Sequence, residues 1–374
     1  MKFSVSSSTF CNRLQNLTRF LPNKASIQIL ESIRFELRDG ILTMTASDSE
    51  NTLITHLQTN DSEGEGVVAV KGVNFANALK EISDQPITID INDSTWEIEV
   101  KYQNGKCNFV GQSGAEYPET CGLEGDVDEL EIKSSSLLNG VSKALFAAAD
   151  DILRPVMNGI FVDVMNDSTS FVSSDGHKLV CDKFVTKHTD TPSSFILPKK
   201  PARILKDILG KDGGNSLVRF NSKRAVIQNE EYTLNCSLIE GNYPNYKSVI
   251  PEDNPFRATI DRAALVSALR RVLAFANSTT FLISMHFDHS DLTVSAQDID
   301  YSMSAEEHIM CDYDGNTMSI GFKGPFLVDI LSSINSDAVI LQLADPSRAG
   351  VVTPATPEED ENLIMILMPM MLAQ

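Results

Sequence analysis

The chain has 374 residues, a formal net charge of −20 and an apolar content of 42%. This composition argues against intrinsic disorder, and the length predicts two or three domains. The N-terminus has no signal-peptide pattern, and the apolar run Leu363–Leu372 is shorter than the about 20 residues of a membrane-spanning helix. The six cysteines are scattered without a CxxC pair, so we predict reduced thiols in a cytoplasmic protein.

In chain order, the first predicted element is an amphipathic helix. Phe10, Leu14 and Leu17 recur at helical spacing behind a Ser/Thr cluster that can cap the helix. Strands with alternating apolar residues follow, and one of them is predicted to begin at Trp96. Between the strands, Val73–Ile82 is predicted as a second helix.

The same succession of elements returns twice. The segments LKEI, LKDI and LSSI begin at Leu79, Leu205 and Leu331, so successive copies are 126 residues apart. Further helices are predicted over 137–148, 201–209, 265–276 and 325–334. The joining segments GLEGDVDE and SVIPEDNP have the composition of exposed linkers. We therefore predict an α+β protein of three repeated domains, 1–122, 128–246 and 253–374, each with two helices against antiparallel sheet.

The predicted helices are poor in acidic residues although the chain as a whole is acidic. The first carries Arg13 and Arg19, the second Lys143, and the third Arg270 and Arg271. One basic helix could simply face solvent. Because the pattern recurs in three repeats, we favour a shared surface that faces phosphate.

The sequence shows no pattern typical of a catalytic site. Phosphate-binding loops, dinucleotide fingerprints and nucleophile elbows are missing. Asp175 and His177 lie in SSDGHKL, but the members of a triad normally come from distant segments, so a turn is the better interpretation. His286 and His289 have no neighbouring cysteine, and we expect neither a metal nor a cofactor.

Three features together resemble one family: the threefold repeat, the motifs DGHKL and YPNYKSVIP, and the terminal MPMML. The chain is similar over its whole length to the bacterial DNA polymerase III β subunits, the sliding clamps. The resemblance implies a head-to-tail homodimer that closes a ring around duplex DNA. It also implies a processivity factor without catalysis. Its partners would be DNA in a sequence-independent manner, the replicative polymerase, the clamp loader and other proteins that carry a short clamp-binding peptide, and no membrane.

The resemblance also implies three sets of site residues. The partner-peptide pocket would comprise Met157, Ser174, Gly176, His177, Lys178, Leu179, Pro244, Ser248, Val249, Ile366, Met368, Pro369, Met370, Met371 and Leu372. The DNA-facing residues would be Lys24, Lys71, Lys80, Arg154, Lys199, Lys200 and Arg203. The dimer interface would contain Cys107, Phe109, Ala274 and Phe275. Ser248 and Met371 stand where the family commonly has arginine, which implies a less basic pocket rim.

Two alternatives stay open at this point. The first is an enzyme that uses Asp175 and His177. The second is a ring or scaffold that binds proteins but not DNA, which the acid-poor helices disfavour. The sequence does not identify the individual partners.

Overall fold

The computed structural model describes residues 1–22, 24–120, 122–186, 192–210 and 214–372. The first repeat contains α1 (Ser7–Thr18), α2 (Gly72–Leu79), β1 (Lys2–Ser6), β2 (Ser32–Arg38), β3 (Ile41–Ser47), β4 (Thr52–Gln58), β5 (Asp61–Glu63), β6 (Gly66–Lys71), β7 (Pro86–Ile91), β8 (Glu97–Tyr102), β9 (Gly105–Val110) and β10 (Gln112–Ser113). The second contains α3 (Ser134–Leu145), α4 (Lys199–Ile208), β11 (Asp128–Lys133), β12 (Gly159–Val164), β13 (Ser168–Ser174), β14 (Lys178–Val185), β15 (Ser193–Pro198), β16 (Asn215–Phe220), β17 (Arg224–Gln228) and β18 (Tyr232–Ser237). The third contains α5 (Arg262–Leu273), α6 (Gly324–Ser333), β19 (Phe256–Asp261), β20 (Leu282–Asp288), β21 (Asp291–Asp298), β22 (Met303–Tyr313), β23 (Met318–Lys323), β24 (Ala338–Leu343), β25 (Gly350–Pro354) and β26 (Glu361–Leu367).

These elements form two compact units whose boundary passes through the central repeat. The first unit comprises Met1–Leu138 and Lys200–Leu238, and the second comprises Asn139–Lys199 and Ile239–Gln374. The predicted architecture, two helices against antiparallel sheet in each of three repeats, is confirmed.

Within each unit, one sheet is shared by two repeats. In the first unit a nine-stranded sheet runs β10, β6, β2, β3, β4, β18, β17, β16, β11. In the second, a twelve-stranded sheet runs β15, β12, β13, β14, β26, β25, β24, β19, β22, β21, β20, β23. The joins are β4 against β18 and β14 against β26, both antiparallel. In both cases the fourth strand of one repeat pairs with the last long strand of the next.

Each unit has its core between helices and sheet. In the first unit the rings of Phe10, Phe35 and Phe75 meet at centroid distances of 5.7–6.2 Å. In the second, the buried residues of α5 and α6 pack against strands of the third repeat, with Leu269 and Ile330 fully buried. The spacing of apolar residues in the sequence therefore agrees with the faces of the helices and strands that are buried in these cores.

The ends of the predicted elements differ by a few residues. The second helix ends at Leu79 rather than Ile82, because the Ile82 N–H donates to the Leu79 carbonyl in a tighter turn. The strand predicted from Trp96 begins at Glu97. Trp96 has a φ of 59°, which breaks the extended backbone.

Across the described ranges, no helix combines the length and apolar character needed to cross a membrane.

Candidate partner-binding pocket and basic surfaces

The centre of the candidate pocket is the strand pair β14–β26. Leu179 lies directly opposite Ile366, and both side chains are buried. They share an apolar cluster with Tyr246 and Val351. The cluster therefore joins side chains of the second and third repeats.

The DGHKL motif forms a turn at the end of this strand pair. The Asp175 carboxylate accepts hydrogen bonds from the N–H groups of His177 and Lys178, both 2.9 Å long, and pairs with the Lys178 ammonium. Gly176 has a φ of +90°, a conformation that favours glycine. Burial acts to raise the pKa of Asp175, but its hydrogen bonds from Lys178 and the backbone outweigh burial and lower the pKa. The carboxylate of Asp175 is therefore engaged in building the turn.

The C-terminal segment continues from β26 past this turn. The Met368 N–H donates to the His177 carbonyl, and the Met370 N–H donates to the Gly321 carbonyl, both over 2.8 Å. A side chain at position 321 would place its Cβ only 2.5 Å from the Met370 carbonyl oxygen, so this approach requires glycine. Leu363–Leu367 form a mostly buried strand, whereas Met371 is 95% exposed.

The other predicted pocket residues lie in two neighbouring segments. Met157 is buried in a short 3-10 turn, Pro155–Met157, just before β12. The preceding residue, Val156, packs against Gly241, three residues before Pro244. Pro244, Ser248 and Val249 are exposed on either side of buried Tyr246.

Two residues that the sequence did not assign to the pocket, Phe326 and Lys323, lie close to His177 and Lys178. The Lys178 ammonium lies 3.8 Å from the centroid of the Phe326 ring, and the Lys323 ammonium lies 4.6 Å from the same centroid. The His177 ring centroid is 6.5 Å away. Both arrangements satisfy the geometry of cation–π contacts. Phe326 was missed because it lies at the start of a predicted helix, where an aromatic residue usually belongs to the core.

The predicted DNA-facing residues differ in how far their charge is neutralised. Lys199 pairs with Asp150, Lys200 with Asp48, Arg154 with Asp151, Lys71 with Glu31 and Lys80 with Glu81. Lys24 and Arg203 are exposed, and no carboxylate of the described residues lies within 4.0 Å of either. These two retain the most charge available to a phosphate.

Two basic helix residues do not lie on a DNA-facing surface as the sequence suggested. Arg13 on α1 is buried and pairs with Glu231 beside β18, and Lys143 on α3 is buried and pairs with Glu361 on β26. For these two residues the prediction was wrong, because each pairs with a glutamate of the following repeat, which helical periodicity cannot reveal.

The predicted interface residues lie in two places, on the edge strand β9 and directly after helix α5. Within the described chain, β9 pairs only with β8, so one edge of β9 is unpaired. Cys107 and Phe109 are half-buried on β9, and burial raises the pKa of the Cys107 thiol. Ala274 and Phe275 follow α5 directly and are exposed.

Shared sheets between repeats of two helices and antiparallel strands define a DNA-clamp type of protein. Sequence models of the DNA polymerase III beta subunit match nearly the whole chain: its N-terminal domain at residues 1–121, its central domain at 131–245 and its C-terminal domain at 247–371. The chain therefore belongs to the DNA polymerase III beta subunit family.

Individual relatives agree with this assignment. The chain is 24% identical to a beta sliding clamp of Buchnera aphidicola, over 98% of this chain and 99% of that one. It is 26% identical to a beta sliding clamp of Treponema pallidum, over 99% of both. A Pseudomonas aeruginosa sliding clamp bound to griselimycin superimposes with a TM-score of 0.92 at 21% identity, with both chains fully covered.

Proposed function

We propose that the chain acts as a DNA sliding clamp in the cytoplasm. Two copies would close head to tail into a ring of six domains, with boundaries at 1–122, 128–246 and 253–374. The ring would encircle duplex DNA and tether the replicative polymerase and other DNA-processing proteins. It would do so without catalysis or a cofactor of its own.

The proposal of a closed ring rests on one observation, which is the way in which neighbouring repeats are joined. At both joins inside the chain, the fourth strand of one repeat pairs with the last long strand of the next. The same rule applied once more pairs β22 of the third repeat with β9 of a first repeat. Among the residues that the structure describes, 303–310 of β22 pair only with β21, and β9 likewise has one unpaired edge. Because the two edges belong to opposite ends of the chain, a second copy satisfies both.

The register of this pairing follows from the two joins. Leu53 of β4 lies opposite Leu234 of β18, and Val180 of β14 lies opposite Met365 of β26. Counted from the preceding hairpin of each repeat, the equivalent positions at the third join are Ala305 on β22 and Cys107 on β9. We therefore infer that Cys107 of one copy lies opposite Ala305 of the other.

The pocket favours a short peptide with apolar anchors. Leu179 and Ile366 give it a buried apolar floor, and the flexible methionines Met368 and Met371 are exposed beside it. Lys323 adds a positive charge, since no carboxylate of the described residues lies within 4.0 Å of its ammonium group. We therefore infer that partner peptides carry an acidic residue next to their apolar anchors.

Retention on DNA tests the proposal directly. Clamps loaded onto a nicked circle should persist at about half-molar salt, where charge contacts are screened within a few ångströms, and should leave once the circle is cut. Equal half-lives on circular and linear DNA at one salt concentration would contradict enclosure. Sedimentation of the free protein must also give a dimer of the 41.1 kDa chain.

A further inference from the structure

A cluster of charged side chains is buried between α3 and β26 in the second unit. Lys143 and Glu361 form an ion pair there, with side chains 8% and 3% exposed. Asp182 on β14 is fully buried beside this pair. Neither oxygen of its carboxyl group has a hydrogen-bond partner among the described residues. A buried carboxylate without a hydrogen bond is costly, so this site requires an explanation.

The strand register places the two carboxyl groups close together. Asp182 lies opposite Leu363, and Glu361 is two residues before Leu363, so Asp182 and Glu361 are diagonal neighbours on one face of the β14–β26 pair. On the other side of Asp182, β13 presents the uncharged Phe171. Gly140 of α3 lets the helix approach this strand, since a Cβ there would lie 2.2 Å from the Phe171 ring.

The charges around Asp182 do not balance if every group is ionised. Lys143 supplies one positive charge against the carboxylates of Asp182 and Glu361. Glu358, which accepts hydrogen bonds from Asn139 and Asn335, adds further negative potential. Burial raises the pKa of Asp182; the Lys143 ammonium opposes this, but Glu361 and Glu358 raise the pKa further, to well above the ordinary value. A protonated Asp182 can donate its O–H to Glu361, which supplies the missing hydrogen bond and removes the excess charge.

The join between the first two repeats has a hydroxyl at the corresponding position. Thr55 lies two residues after Leu53 on β4, as Asp182 lies two residues after Val180 on β14. The buried Thr55 hydroxyl donates to the backbone carbonyl of Glu231 over 2.8 Å. A hydroxyl can donate at any pH in the working range, whereas Asp182 can donate only when protonated. The two joins are therefore built alike but differ in their dependence on pH.

We propose that Asp182, Glu361 and Lys143 form a proton-dependent lock that holds β26 against β14 and α3. The lock is closed when one proton is shared between the two carboxyl groups, and it loosens when that proton is lost. This inference concerns the join between the second and third repeats and does not depend on the proposed function.

The direction of the pH effect follows from linkage. Because the pKa of Asp182 is raised in the folded state, its contribution to stability is fully present below the ordinary aspartate pKa of about 3.9. It is lost as the pH rises through the folded-state pKa. An asparagine at position 182 donates an N–H at every pH, so Asp182→Asn should abolish this dependence, and Asp182→Thr reproduces the residue of the first join.

The experiment compares urea unfolding of the full chain with that of Asp182→Asn and Asp182→Thr at a series of pH values. Relative to either variant, the folding equilibrium constant of the parent should fall by up to about tenfold per pH unit between the ordinary aspartate pKa of about 3.9 and the folded-state pKa, and should level off above it. Asp312→Asn, at an exposed aspartate of β22 in the same unit, is the control and should follow the parent. Parallel pH profiles for the parent and Asp182→Asn would overturn the proposal.

Hydrogen exchange gives the same test without a substitution. The protection of β26 amides, divided by that of β24 amides in the same sheet, should fall as the pH rises. A ratio that stays constant through the titration of Asp182 would overturn the lock, even if both variants failed to fold. The Asp182 carboxyl carbon, followed by NMR, should titrate well above an ordinary aspartate, and titration near about 3.9 would equally contradict the proposal.

Discussion

Leu179 on β14 lies directly opposite Ile366 on β26, although the two residues belong to different repeats. Both are at most 4% exposed. The floor of the candidate pocket therefore exists only because the second and third repeats share a sheet. A site supported by paired strands has a more rigid geometry than one supported by loops, which suits recognition of a short peptide with few anchors.

We expect Leu179→Asp to weaken this recognition strongly. A few buried anchors dominate such interfaces, and a micromolar site has a binding free energy of about −8 kcal/mol. Losing about 2–3 kcal/mol would therefore weaken binding roughly 30- to 150-fold. Fluorescence anisotropy with a labelled partner peptide measures the change. Val185→Asp, at an exposed position of the same strand, is the matched control. Unchanged affinity in a folded Leu179→Asp protein would exclude this pocket.

A second prediction concerns ring closure. Because we infer that Cys107 of one copy faces Ala305 of the other, Ala305→Cys should form an intersubunit disulfide with the native Cys107 under mild oxidation. Non-reducing electrophoresis should then show a covalent dimer. Met310→Cys, at an exposed site further along β22, should not cross-link. Phe275→Asp should give a folded monomer and remove the cross-link. A dimer in solution that never cross-links would contradict the register, whereas a monomeric parent would contradict the ring.

The sequence predicted the repeated architecture well, because Phe10, Leu14 and Leu17 and their counterparts follow simple periodicity. It failed where two repeats meet. Arg13 and Lys143 occupy the polar side of an amphipathic helix, but both are buried and pair with glutamates more than 200 residues further along the chain. Contacts between residues so far apart in the chain cannot be predicted from local sequence patterns. The excess of negative charge around Asp182 could not be predicted for the same reason, because it arises where two repeats meet.

The peptide's charge preference should depend on Lys323. A peptide with glutamate beside its apolar anchors should bind more tightly than the same peptide with glutamine. For an exposed pair the gain is about 0.2–1 kcal/mol, or roughly 1.5- to 5-fold in affinity. Lys323→Gln should remove this difference and Lys323→Arg should keep it. Lys183→Gln, at an exposed lysine of β14, is the control. Equal discrimination by the parent and Lys323→Gln would rule out this role.

The last prediction separates contact with DNA from enclosure of DNA. The chain carries a net charge of −20, so DNA is repelled by most of its surface and is drawn only to residues whose positive charge is free. Lys24 and Arg203 meet that condition, whereas Lys199 and Lys200 are paired with Asp150 and Asp48. Each phosphate contact adds about 0.9 to the salt slope of log K. We therefore expect the double variant Lys24→Ala, Arg203→Ala to lower the slope for direct binding by up to about 2.

The double variant Lys199→Ala, Lys200→Ala is the matched control and should lower the slope less, because those ammonium groups are already neutralised. Neither double variant should have a shorter half-life on a closed DNA circle than the parent, since a ring that surrounds DNA is retained by topology rather than by charge. Binding titrations at several salt concentrations give the slopes, and release from nicked circles gives the half-lives. If removing Lys24 and Arg203 released the protein from closed circles, charge rather than enclosure would hold it there.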